Sequence, residues 1–120
     1  MEGHGTEFAY LTTVGRRTGL PRTVEMWFAE EGATVYMLAG GGRRADWVRN
    51  LLADPHVRVR VGGPREWRAD VPGTVTGRAR LVEDPVEEAH ARLLVDGRYY
   101  GGQELTRWGR TALVVAIDRD

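Results

Sequence analysis

Hydrophobic and polar positions alternate along most of the chain, which predicts β-strands far more often than helices. The first two apolar segments are rich in β-branched and aromatic residues and are separated by a glycine-bearing turn, which predicts a hairpin. The third is apolar enough for burial on both faces. In Val57–Val61, valines alternate with arginines, as in a strand with one buried face. The segments predicted as strands are residues 7–14, 22–30, 34–40, 57–61, 66–71, 74–82 and 111–117.

In two segments the apolar residues recur at the spacing of an α-helix instead of alternating. Ala45–Ala53 follows a run of three glycines and ends before Asp54 and Pro55. The second helix is expected near Val86–Val95, with Gly97 as its C-terminal cap. Its predicted apolar stripe consists of Val86, Ala89, Leu93 and Leu94. We therefore predict a mainly β fold, a small closed or nearly closed barrel of six or seven antiparallel strands with two short helices. Residues 1–120 are expected to form one domain, with residues 1–6 as a flexible tail.

Composition narrows the classes of function. The 120-residue chain has a formal net charge of +0 and a pI of about 6.8, which argues against binding nucleic acid or a membrane surface through bulk charge. The absence of cysteine and serine excludes disulfides, thiol catalysis and a serine nucleophile. His4, His56 and His90 lack metal-ligand spacing, so no metal site is predicted. We find no leader and no apolar run of membrane-spanning length, and we expect a cytoplasmic protein.

Three arginines surround the first predicted turn. Arg16 and Arg17 lie on it, and Arg22 begins the returning strand. Gly40–Gly42 add backbone amides just before the first predicted helix, where an anion can bind. Arginine holds phosphate or carboxylate groups through two parallel hydrogen bonds. The alternative interpretation, a solvated turn and glycines that only reverse the chain, is favoured on the pattern alone.

Aromatic residues suggest a second kind of contact. Trp27, Trp47, Tyr99 and Tyr100 could line a pocket for a flat ring, and core packing is the alternative. Asn50, one turn beyond Trp47, is an uncharged polar residue on the first helix. Its amide either caps a loop or contacts a carbonyl group of a ligand.

Three blocks together resemble a known family. They read LTTVGRRTGLPRTVEMWF, VYMLAGGG and DWVRNLLADPHVRVRV, and they cover Leu11–Val61, about half the chain. This order and spacing resemble the nitroreductase-type deazaflavin-dependent oxidoreductases, also called the F420H2-dependent quinone reductase family.

The resemblance implies a split β-barrel, similar to the flavin-binding pyridoxamine-phosphate oxidases, that holds the deazaflavin coenzyme F420 in a groove. In relatives, the turn and the arginine after it engage the phosphate and the glutamate-bearing tail. A small-residue loop and the first helix complete the expected site. The implied coenzyme-binding residues are Arg16, Arg17, Thr18, Arg22, Gly40, Gly41, Gly42, Trp47 and Asn50.

Two departures from the family pattern leave FMN or FAD open as the cofactor. The loop after Gly40 is short and lacks a Ser-Lys pair, and Glu25 replaces a proline of the second strand. The expected reaction is hydride transfer from reduced F420 to a quinone, nitro or enone acceptor, in a pocket formed by Trp27, Tyr99 and Tyr100. The alternatives are a non-catalytic split barrel that binds a cofactor and a flavin- or haem-binding barrel. We expect a small-molecule acceptor as partner and leave a homodimer open.

Overall fold

The computed structural model describes residues 7–99 and 112–120, except for the side chain of Tyr99. The predicted tail, residues 1–6, therefore lies outside the described residues, as does Thr111, the predicted start of the last strand. No helix in the described ranges is long and apolar enough to cross a membrane. The elements are β1 (Ala9–Val14), β2 (Pro21–Met26), β3 (Phe28–Glu31), β4 (Thr34–Ala39), a 3₁₀ turn (Gly42–Arg44), α1 (Asp46–Ala53), β5 (His56–Val61), β6 (Val75–Leu81), α2 (Pro85–Tyr99) and β7 (Leu113–Arg119).

The described strands form one antiparallel sheet in the order β2-β1-β5-β6-β7-β4-β3. Its two edge strands, β2 and β3, are consecutive in sequence and are separated only by Trp27. The sheet must therefore curl until its edges approach each other, which produces a barrel that is open at one seam. The predicted antiparallel barrel is confirmed.

The prediction of one strand over residues 22–30 is wrong. Met26 pairs with Ala9 of β1, whereas Phe28 pairs with Met37 of β4. Because these partners belong to opposite ends of the sheet, the chain leaves one ladder and enters the other at Trp27. Hydrophobic alternation continues through this point and therefore does not reveal the break.

Two hydrophobic clusters hold the sheet. Inside the barrel, Val35 and Met37 of β4 pack with Leu11 and Phe28. On the outer face, Tyr36 and Leu38 pack beneath α2. Alternate residues of β4 thus enter different clusters, and the predicted burial of this strand on both faces is confirmed.

Helix α2 differs from its prediction in two ways. It continues through Gly97, which is therefore not a C-terminal cap. The predicted stripe is also wrong: Val86 and Leu93 are exposed by 76% and 69%. Ala89 is exposed as well, and Leu94 is only partly buried.

The helix instead buries Ala91 and Val95. Glu87, one turn before Ala91, lies on the same side of the helix, and Tyr36 Oη of β4 donates a hydrogen bond to its Oε2 atom at 2.7 Å. That bond directs the side of α2 with residues at i, i+4 and i+8 toward the sheet.

Residues 62–74 form an irregular segment, which we call the covering loop, and the predicted strand over residues 66–71 is wrong. Gly62 and Gly63 have φ values of 77° and 84°, which turn the chain away from β5. Arg60 Nη2 then donates to the carbonyls of Pro64 at 2.8 Å and Glu66 at 3.2 Å. Arg60 is only 3% exposed because this loop covers it. The alternation of valine and arginine in β5 predicts instead that this side chain faces solvent.

Candidate functional site

A groove of about 620 Å³ follows the free edge of β2 and lies beside the β1–β2 turn and α1. Its lining combines cations, two tryptophans and small polar groups. The lining residues are Gly15, Arg16, Arg17, Thr18, Pro21, Arg22, Thr23, Val24, Asp46, Trp47, Asn50 and Trp67. The structure thus brings together six of the nine predicted coenzyme-binding residues: Arg16, Arg17, Thr18, Arg22, Trp47 and Asn50.

Hydrogen bonds within the β1–β2 turn give it a defined shape. Gly15 N donates to Leu20 O at 2.8 Å, and Gly19 N donates to Gly15 O at 2.7 Å. Leu20 N also donates to Thr18 Oγ1 at 3.2 Å. A Cβ atom on Gly15 would lie 2.8 Å from Thr18 Oγ1, which explains the need for glycine there. The turn is therefore preorganised before any ligand binds.

Asn50 joins this turn to α1. Its Oδ1 atom accepts hydrogen bonds from Arg16 Nη1 at 2.8 Å and Arg16 N at 3.2 Å. Its Nδ2 atom donates to Thr13 Oγ1 at 3.2 Å. Arg16 Nη2 also contacts Asp46 Oδ1 at 3.2 Å. Asn50 is only 5% exposed, and its amide is used within the protein, in line with the loop-capping interpretation.

Arg17 and Arg22 differ from Arg16 in their contacts. Both line the groove, both are exposed, and neither forms a hydrogen bond or an ion pair with another residue in the described ranges. The groove lining contains three arginines and one acidic residue, Asp46, which Arg16 already engages. Two positive charges are therefore available to an anionic ligand.

A second, smaller cleft of about 290 Å³ lies at the barrel seam. Trp47 lines both cavities, which places them side by side. The lining residues of this seam cleft are Phe8, Glu25, Met26, Trp27, Leu38, Ala39, Gly40 and Trp47. Trp27 therefore stands beside the groove, at the position where the chain passes from β2 to β3.

Other predicted residues are not brought into these cavities. Gly41 and Gly42 line neither of the two; Gly41 precedes and Gly42 begins the 3₁₀ turn Gly42–Arg44, which is followed by α1 at Asp46. Binding of the coenzyme by the backbone amides of Gly40, Gly41 and Gly42 stays a prediction. Tyr99 ends α2, but its side chain and the whole of Tyr100 lie outside the described residues.

Glu25 carries a negative charge in the wall of the seam cleft. Arg65 donates to its carboxylate from Nε at 2.8 Å and Nη2 at 2.7 Å, and Tyr10 Oη donates at 2.8 Å. The Arg65 hydrogen bonds, together with that from Tyr10, lower the pKa of Glu25 despite its burial. Burial and the adjacent Glu25 raise the pKa of Tyr10. Glu25 is thus an ionised carboxylate that is already paired.

Sequence reasoning missed Trp67, which the covering loop brings to the groove. The available signal was an aromatic residue among charged neighbours in a segment that begins with two glycines and a proline. Because residues 66–71 were predicted to form a strand, Trp67 was not predicted to reach the groove.

Comparisons with known proteins identify the family of the chain. Residues 2–99 match the family described as F420H(2)-dependent quinone reductase. An F420H(2)-dependent quinone reductase of Mycobacterium tuberculosis is 36% identical over 58 residues, which cover 46% of this chain and 39% of that protein. The match thus spans about two fifths of that relative's length.

Two solved structures establish the fold class. A Listeria innocua protein named as a pyridoxamine 5'-phosphate oxidase superimposes with a TM-score of 0.64 at 22% identity, covering 94% of this chain and 83% of that one. A structure named F420 reductase superimposes with a TM-score of 0.63 at 21% identity, covering 98% and 89%. The split β-barrel prediction is confirmed.

Proposed function

Because this chain belongs to the F420H(2)-dependent quinone reductase family, we propose that it transfers a hydride from reduced F420 to a small organic acceptor of the quinone type. The observation that best supports this function is the pair of exposed arginines, Arg17 and Arg22, in a groove that also contains Trp47. Neither guanidinium has a partner within the described part of the chain. A coenzyme with a flat ring and an anionic tail needs both features.

The groove residues fit F420 chemically. Its phosphate and glutamate-bearing tail are anions, and the lining offers the charges of Arg17 and Arg22 beyond the Arg16–Asp46 pair. Charge-assisted hydrogen bonds from arginine are well suited to phosphate and carboxylate oxygens. The preorganised turn holds Arg17 near the ligand at a reduced entropic cost.

The mechanism assigns different tasks to the two cavities. When bound, reduced F420 supplies a hydride from the central carbon of its deazaflavin ring. Arg17 and Arg22 would bind the tail and phosphate, while Arg16 and Asn50 keep the turn against α1. Trp47 lies between the groove and the seam cleft, where it would exclude water from the flat ring.

The seam cleft is the proposed site for the acceptor. Trp27 lines it, and hydrophobic neighbours such as Leu38 and Ala39 suit a small apolar ring. Quinones match this chemistry, and nitro and enone acceptors belong to the same proposed range. A hydrogen bond from Tyr99 or Tyr100 to the acceptor oxygen stays a prediction, since their side chains lie outside the described residues.

A titration tests the function directly. The purified protein is titrated with F420, FMN and FAD, and oxidation of reduced F420 is then followed with a quinone. We expect preferential binding of F420 and quinone-dependent turnover. Preferential binding of FMN or FAD would contradict the proposed coenzyme, and F420 binding without turnover of quinone, nitro or enone acceptors would favour a non-catalytic barrel. Measurement of the molecular mass in the same preparation distinguishes a monomer from a homodimer.

A further inference from the structure

Two tryptophans approach the groove from opposite faces of the sheet. Leu11 of β1 faces the barrel interior, where Trp47 and Leu51 pack against the same cluster. Tyr10, the preceding residue, points to the other face, since successive side chains of a strand alternate. Trp67 contacts Tyr10 there, with ring centroids 6.1 Å apart and an interplanar angle of 84°. The free edge of β2 therefore lies between Trp47 and Trp67, and both line the groove.

The covering loop holds Trp67 in place through contacts of the three residues that precede it. Arg60 binds the carbonyls of Pro64 and Glu66, and its guanidinium lies 4.2 Å from the Tyr10 ring centroid. Arg65 binds Glu25 of β2 through two hydrogen bonds. A residue next to such anchors has little freedom to move away from the groove.

Trp67 is anchored and yet exposed. The residue is 52% exposed although its ring contacts Tyr10. Such an indole presents a large apolar surface to the groove at little further entropic cost, and it favours contact with another planar ring. The cations of the groove lie at the turn and at the start of β2, and the aromatic side chains are the groups that suit an uncharged ring.

We propose that Trp67 is a coenzyme-binding residue that forms the outer wall of the groove and packs against the deazaflavin ring. This inference rests on the proposed function, and it assigns ring contact to the covering loop, outside the three sequence blocks of Leu11–Val61 that contain the implied coenzyme-binding residues. Arg65 and Arg60 act through Trp67 as positioning residues.

The experiment compares two probes: F420, and the deazaflavin fragment that lacks the phosphate and glutamate tail. Dissociation constants are measured by calorimetry for the wild type, Trp67→Ala, Trp67→Phe and Arg68→Ala. We expect Trp67→Ala to raise the dissociation constants of both probes about tenfold. Trp67→Phe should keep most of the wild-type affinity. Arg68 is the matched control, because it is an exposed residue of the same loop that does not line the groove. Its substitution should change neither constant.

Two outcomes would overturn the inference while leaving the proposed function intact. One is wild-type affinity of Trp67→Ala for both probes. The other is weaker binding of F420 alone, which would place Trp67 against the tail. If the wild type binds neither probe, the proposed function itself fails, and the inference with it. If thermal unfolding shows that Trp67→Ala is not folded, Trp67→Leu takes its place in the comparison, because leucine keeps an apolar contact with Tyr10.

Discussion

Arg16 and Arg17 are neighbours on one turn, yet their guanidinium groups have different surroundings. Arg16 donates hydrogen bonds to Asn50 and Asp46 and thereby fastens the turn to α1. Arg17 is exposed and has no such partner among the described residues, and the same is true of Arg22. Residue type alone does not separate a structural arginine from a binding arginine; the contacts do.

Removal of either free charge should weaken coenzyme binding. We expect Arg17→Ala and Arg22→Ala each to reduce F420 affinity about tenfold or more, because a charge-assisted hydrogen bond contributes about 1.5–3 kcal/mol. Thermal stability should change little, since exposed turn side chains support little of the core. Calorimetric titration and thermal unfolding measure the two effects.

Arg58 provides the matched control for these variants. It is an exposed arginine of β5, does not line the groove, and has no hydrogen-bonding partner within the described ranges. Arg58→Ala should bind F420 as the wild type does. Unchanged affinity in both Arg17→Ala and Arg22→Ala would identify these arginines as solvated turn residues.

Trp27 should affect the acceptor more than the coenzyme. It lines the seam cleft and is absent from the lining of the groove. We expect Trp27→Ala to lower kcat/KM for a quinone while the F420 dissociation constant stays nearly the same. Steady-state kinetics and titration provide the two measurements, with the exposed Val86→Ala as control. Wild-type turnover by Trp27→Ala would place the acceptor elsewhere.

At the scale of elements, glycines in different settings should respond differently to the same substitution. Gly97 lies within α2, and an added Cβ atom would meet nothing within 4 Å. Gly15 lies in the β1–β2 turn, where a Cβ atom would clash with Thr18 Oγ1 at 2.8 Å and Leu20 O at 3.1 Å. The helix has room for the methyl group and the turn has none.

We expect Gly97→Ala to raise the free energy of unfolding by about 0.5–1 kcal/mol, because alanine loses less backbone entropy in a helix. Gly15→Ala should lower it, and it should also weaken F420 binding by displacing the turn. Chemical denaturation compares the two variants under one set of conditions. Destabilisation by Gly97→Ala would contradict its placement inside α2.

At the scale of the whole molecule, one polar network ties α2 to three strands. Arg80 of β6 contacts both Glu87 of α2 and Asp118 of β7, each at 2.8 Å. Tyr36 of β4 donates to Glu87 at 2.7 Å. The Arg80 and Tyr36 hydrogen bonds lower the pKa of Glu87 to about 2, and burial with the adjacent Glu87 raises the pKa of Tyr36 to about 12.

This network predicts a loss of stability in acid. The Glu87 pKa is lower in the folded state than its ordinary value of 4.5, so its contribution is complete above that value and is lost as the pH falls toward about 2. Glu87→Gln should therefore reduce stability at neutral pH and flatten the pH dependence within this window. Thermal unfolding of the wild type and of Glu87→Gln at several pH values measures this pH dependence.

Glu83→Gln serves as the control for the acid prediction. Glu83 is an exposed carboxylate just before α2 and forms no hydrogen bond or ion pair with the described residues. Its substitution should leave the pH dependence unchanged. An equally steep loss of stability in wild type and Glu87→Gln would show that other carboxylates control unfolding in acid.

The sequence by itself determined most strands, both helices and the turn with its arginines. These features depend on local physical chemistry: alternation reports which face of a strand is buried, and glycine marks the backbone positions that must turn. The blocks from Leu11 to Val61 also indicated the family, which the comparison over residues 2–99 then showed.

Only the tertiary structure decided the break at Trp27, the burial of Arg60 and the approach of Trp67 to the groove. Each depends on a contact between separate elements: β2 and β3 have different pairing partners, and the covering loop crosses the face of the sheet that carries Arg60. The same holds for Arg16, whose guanidinium group contacts Asp46 and Asn50 of α1, 30 and 34 positions further along the chain. Spacing along a chain reports which side chains are buried, but the partner of each charge is set by the fold that brings distant residues together.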